Sequence, residues 1–139
     1  MNRQQIKSLL TEHYPNKMVF QEAEKVQLGS SPFRLRRLAG TSLDFSFSVE
    51  MIGRPTNLRM LKFMMPGFGP AKEMGVSAVA ELLQSMYPEN GKGEWLRKTA
   101  ALAKPGEQHH LEKQVGLEVI RVQRPETNDS IDLLFITVR

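Results

Sequence analysis

Through residues 43–51 the chain alternates apolar and polar side chains without a break. Leu43, Phe45, Phe47, Val49 and Met51 share one parity, and Asp44, Ser46, Ser48 and Glu50 the other. Successive side chains of a strand point to opposite faces, so this run predicts a half-buried antiparallel strand with one face on a core. Residues 33–39, bounded by Pro32 and Gly40, read as a neighbouring strand. Residues 58–65 read as another, reached through the turn-forming run Gly53-Arg54-Pro55-Thr56. Residues 17–28 add a fainter strand signal ahead of the turn Gly29-Ser30-Ser31-Pro32. The expectation is a meander of three or four strands.

Helical periodicity flanks this meander. Ile6, Leu9, Leu10 and His13 predict an amphipathic helix over residues 2–13, ended by Tyr14-Pro15. After Met65 the period returns to that of a helix, with Val76, Val79, Leu82, Leu83, Met86 and Tyr87 on one stripe and Pro88 as a stop. Pro70 and Ser77 are alternative starts for it. A third helix is expected over residues 94–104, its apolar side carrying Trp95, Leu96, Thr99, Leu102 and Ala103. Residues 115–123 and 131–138 then predict a hairpin around the polar loop 124–130. The second of these strands is apolar on both parities, as a central strand is.

Helices and strands are grouped rather than alternating, which predicts an α+β fold. A single antiparallel sheet, meander plus C-terminal hairpin, carries three helices mainly on one face. The 139 residues are expected to form one domain, since a chain of this length buries enough surface to hold a core unaided. No run approaches the roughly 20 apolar residues of a membrane span, and the N-terminal residues turn polar too soon for a signal peptide; a cytoplasmic protein without membrane partners is the expectation. With no cysteine, thiol nucleophiles, disulfides and Cys-ligated metals are excluded.

The net charge of +4 is concentrated. Residues 33–63 hold six bases, Arg34, Arg36, Arg37, Arg54, Arg59 and Lys62, against two acids, an excess equal to the whole net charge. If these bases share a sheet face they could contact an anion or nucleic-acid phosphates; paired with Asp44 and Glu50 they form a solvated face. No helix-turn-helix, zinc-finger or RNP-type pattern accompanies them, and nucleic acid is not the favoured partner.

Other constellations are sparse. Glu107-Gln108-His109-His110-Leu111-Glu112 reads as a solvated loop. Its His109, His110 and Glu112 come nearest to a metal set, but nothing brings His13 beside them, so no metal or cofactor is expected. The loops Gly67-Phe68-Gly69-Pro70 and Asn90-Gly91-Lys92-Gly93 match neither a dinucleotide fingerprint nor a P-loop and read as connectors. No Gly-x-Ser-x-Gly elbow occurs, and Asp44 and Glu50 stand about 20 Å apart along a strand, too far to work as an acid–base pair. Met64, Met65, Phe68, Met74 and Met86 form the candidate pocket, an adaptable apolar lining for a small molecule or a protein partner. The expected function is a small non-catalytic binding or interaction module that forms a homodimer. The alternatives are a nucleic-acid accessory protein using the basic sheet face and an enzyme acting on an anionic small molecule.

Overall fold

The computed structural model describes residues 2–15, 17–27, 34–88, 91–112, 118–126 and 129–137. In chain order they form α1 (Arg3–His13), β1 (Met18–Gln27), β2 (Arg34–Ser42), β3 (Ser48–Arg54) and β4 (Asn57–Pro66). Then follow α2 (Gly69–Met86), α3 (Lys92–Leu102), β5 (Gln108–Glu112), β6 (Glu118–Gln123) and β7 (Ser130–Thr137). The strands make one antiparallel sheet in the order β1-β2-β3-β4-β7-β6-β5. The first four run as a meander. The chain then leaves through α2 and α3, returns at the opposite edge as β5, and works inward until β7 closes against β4.

The class is the expected α+β, with the C-terminal hairpin extended to three strands. The segment read as a loop around His109 is strand β5, whose residues Gln108 to Glu112 pair with Gln123 to Val119. Its polar composition fits its position, because an edge strand has one neighbour and no second ladder to bury. The strand with the two-sided apolar pattern, β7, lies centrally between β4 and β6, with Ile131, Leu133 and Phe135 buried.

Register builds the core directly. Val49 lies opposite Phe63, Phe63 opposite Leu133, and Leu133 opposite Val122, a row across four strands. All four are buried, in one cluster with Ile6 and Leu10 of α1, Val76, Val79 and Leu83 of α2, and Leu96 and Ala100 of α3. Each large side chain of this kind contributes about 1.5–3 kcal/mol by leaving water. The Phe47, Phe63 and Phe135 rings run along this layer at centroid separations of 5.9 and 5.6 Å. Gly75 lets α2 settle on the sheet: a Cβ there would stand 2.8 Å from the Met65 sulfur.

Local signals set the helix ends. The Asn2 side chain accepts from the backbone N–H groups of Gln4 and Gln5 at 2.9 and 3.3 Å, an N-cap that starts α1. The Arg3 N–H donates to the Pro55 carbonyl at 2.8 Å, tying that helix to the β3–β4 turn. Pro70 occupies the first turn of α2, so the earlier of the two anticipated starts is used. Helix α3 begins and ends two residues earlier than expected, and Leu102, placed on its apolar side by periodicity, is 75% exposed. Among the described residues no helix is long and apolar enough to cross a membrane.

The largest departure concerns residues 43–51. Strand β3 starts only at Ser48, and residues 43–47 form the loop joining β2 to β3. Phe47, Val49 and Met51 are buried as expected. Leu43 and Phe45, assigned to the same buried face, are 62% and 83% exposed.

Candidate interaction surface

The β2–β3 loop is held by one serine and one aspartate. The buried Ser42 hydroxyl donates to Asp44 Oδ1 at 2.7 Å and accepts from the Phe47 N–H at 3.1 Å. Asp44 Oδ1 also receives the Ser46 hydroxyl at 2.8 Å and the Ser46 N–H at 3.1 Å. The backbone closes beneath them, with Phe45 N–H on the Ser42 carbonyl at 3.0 Å and Ser42 N–H on the Phe47 carbonyl at 2.9 Å. The Ser42 hydroxyl, then the Ser46 hydroxyl and N–H, hold the Asp44 carboxyl below the usual carboxylate range. Short polar side chains that bond to nearby backbone favour such turns over strand.

This network fixes Phe45 at φ 60°, the one described non-glycine residue with positive φ. A left-handed conformation costs an ordinary L residue about 1–2 kcal/mol, so glycine or asparagine would be the low-cost choice. Instead the loop carries a phenylalanine and directs it into solvent.

Phe45 stands between two hollows. One, of about 410 Å³, lies between Phe45 and Phe68 and is walled by Ser48, Met64, Met65 and Pro66. The other, of about 320 Å³, is bounded by Val19, Gln21, Ala39, Thr41 and Leu43. Val19, Leu43, Phe45, Met64 and Phe68, all at least 37% exposed, therefore gather into a largely apolar strip along one end of the sheet, with Thr41 and Ser48 between Val19 and Met64. Beyond Phe68 a cleft of about 500 Å³ separates the start of α2 from α3, lined by Lys72, Val76, Arg97 and Ala100 among others. Arg97 there is engaged by Glu81 at 2.7 Å.

Of the five residues proposed as a pocket, Met64, Met65 and Phe68 line the first hollow. Met74 packs against the core, and so does Met86, twelve residues farther along α2, about 18 Å away. Met65 is thus buried in the helix–sheet layer, Met74 and Met86 are partly buried against it, and Met64 is exposed. Leu43 and Phe45 were missed because apolar residues in an alternating run read as core, and Val19 because its segment shows no clean period. The polar spacing Ser42, Asp44, Ser46 was the available sign of a turn.

The basic group is divided. Arg34, Arg36 and Arg37 lie in β2 with side chains outside the described ones. Arg54 and Arg59 are exposed near the β3–β4 turn. Lys62 sits on the sheet face away from the helices, 3.8 Å from Asp132, a carboxylate 14% exposed. Burial raises the Asp132 carboxyl above its usual value, and the Lys62 charge pulls it back down.

Around β5, Glu107 accepts from the Lys104 N–H and meets His109 Nε2, both at 3.1 Å. These bonds, the first above all, hold the Glu107 carboxyl below its ordinary value. The His110 and Glu112 side chains fall outside the described ones, and among the described residues no three His, Asp or Glu side chains gather to hold a metal. Of the second glycine loop, Asn90 lies outside the described residues, Gly91 is the N-cap of α3, and Lys92 and Gly93 are its first residues: Lys92 is buried with its ammonium 4.4 Å from the centre of the Tyr87 ring, and Gly93 packs against α2.

No known family model, curated protein sequence or solved structure matches this chain.

Proposed function

We propose that this chain is a small cytoplasmic, non-catalytic interaction module that binds through the apolar strip around Phe45. The supporting observation is Phe45 itself. A bulky ring held at positive φ and 83% exposed adds backbone strain and forgoes burial, a combination that folding alone disfavours. Exposed apolar side chains gathered at one place in this way are a mark of protein–protein contact. Residues kept for binding at a strained position are also places where stability can be gained by substitution.

That last property provides the test. Phe45→Gly relieves the left-handed strain while adding unfolded-state entropy, for an expected net gain of about 0.5–1 kcal/mol. The measurement is urea unfolding below 1 μM, where association does not contribute. A loss of stability would show that the ring supports the fold and would remove the proposal.

A further inference from the structure

We infer that the partner of this strip is a second copy of the same chain, docked across a two-fold axis running beside Phe45, so that each Phe45 ring enters the other protomer's hollow. The inference rests on the strip being an interaction surface and adds what occupies it.

Self-complementarity is the first argument. An isologous interface brings one patch against itself, so the patch must carry both a projection and a recess to receive it. Here Phe45 is the wall of the recess, standing directly beside the hollow that runs to Phe68. A two-fold axis at that wall places each ring against Met64 and Pro66 of the other protomer, with the two Phe45 rings side by side at the axis.

Charge is the second. The described residues lining the two hollows carry one formal charge, Asp129, at the end away from the Val19 side. Self-association therefore sets no charged lining residue against its own copy beside Phe45, and the acid of that loop, Asp44, is held by the Ser42 and Ser46 hydroxyls. Interface cores are depleted of charge in the same way.

Area is the third. With about 150–250 Å² for a whole aromatic side chain, the five exposed residues present on the order of 500 Å² of apolar surface, near the top of what a monomer ordinarily shows. Flanking polar residues such as Gln21, Thr41, Ser48 and Ser130 extend this toward the roughly 800 Å² that each partner contributes to a standard interface.

The test is sedimentation equilibrium of the full chain from 1 to 300 μM. The wild type is expected to show a concentration-dependent dimer. Phe45→Lys and Met64→Asp are each expected to raise the dimer Kd at least 100-fold, while Leu102→Asp, at an exposed position on α3, leaves it unchanged. The two disruptive variants mixed in equal amounts should dimerise again, because the ammonium introduced at position 45 of one protomer would meet the carboxylate introduced at position 64 of the other. A wild type that stays monomeric at 300 μM overturns the inference, as does a dimer that survives Phe45→Lys or a mixture that stays monomeric. The Phe45→Gly measurement is made on dissociated protein, so failure of the dimer and failure of the interaction reading give different results.

Discussion

Gly93 of α3 lies against the Ala80 carbonyl of α2, so closely that a Cβ added at Gly93 would stand 2.7 Å from that oxygen. The two helices therefore meet backbone to backbone, and the obstructing atom cannot turn aside as a side chain would. The glycines around Lys92 have separate tasks: Gly91 takes the left-handed N-cap conformation at φ 58°, and Gly93 allows the close crossing.

Gly93→Ala should accordingly destabilise the protein. Alanine gains up to about 1 kcal/mol in helix propensity, but forcing the helices apart costs about 1–3 kcal/mol and disturbs the packing of Leu96 and Ala100 behind the crossing. A net loss of about 1–2 kcal/mol is expected from urea unfolding. An unchanged or higher midpoint would mean that α3 re-seats without cost.

Phe45 and Phe47, of equal parity in the sequence, should give opposite results. The Phe47 ring is fully buried, stacked on Tyr14 at a centroid distance of 4.4 Å, so Phe47→Ala is expected to cost about 3–5 kcal/mol. Phe45→Ala removes a ring that touches mainly solvent and should change stability by less than about 0.5 kcal/mol in dilute protein. Parallel unfolding curves for the two variants would refute this division of the run.

That contrast shows what the sequence could convey. Patterning reports polarity, and it located α1, the β3–β4 hairpin and the α2 stripe because in those elements apolar means buried. At Leu43 and Phe45 the correspondence fails: the side chains are apolar yet exposed, and the alternation continues through a loop. Strand β5 was hidden for the converse reason, since an edge strand with Glu and His side chains needs no apolar run. The candidate surface was legible only in part, through Met64 and Phe68. Val19 and Phe45 become its neighbours only after β1, β2 and β4 are set into one sheet.

Asp44 predicts acid sensitivity in the loop that presents Phe45. Its folded carboxyl lies below its unfolded value, so the ionised form favours the fold. That contribution is complete above the unfolded pKa, near 4, and is lost as pH falls through the depressed folded value. Asp44→Asn retains a carbonyl oxygen for the Ser42 and Ser46 donors but cannot ionise. Between pH 5 and pH 2.5 the wild-type urea midpoint should fall further than that of the variant, the difference arising below about pH 4. Identical pH dependence in both would exclude Asp44 as a source of acid lability.

Asp132 predicts the opposite sign. Burial raises its carboxyl in the fold, and Lys62, 3.8 Å away, offsets this only in part. Between the unfolded and the raised folded pKa the native state binds the extra proton, so this group's contribution to stability declines as pH rises through that window and stays low above it. Asp132→Asn removes the cost of keeping a charge there and should leave stability at pH 7 equal to wild type or up to about 1 kcal/mol higher. Lys62→Met removes the compensating charge and leaves the carboxylate alone, for an expected loss of about 1–2 kcal/mol at pH 7 that shrinks on acidification. The double variant should recover most of that loss, because neither charge then remains to be desolvated. Urea unfolding of all four proteins at pH 7 and pH 4 checks the cycle. A loss above about 1 kcal/mol in Asp132→Asn alone would mean that the ion pair is a net stabiliser of the sheet.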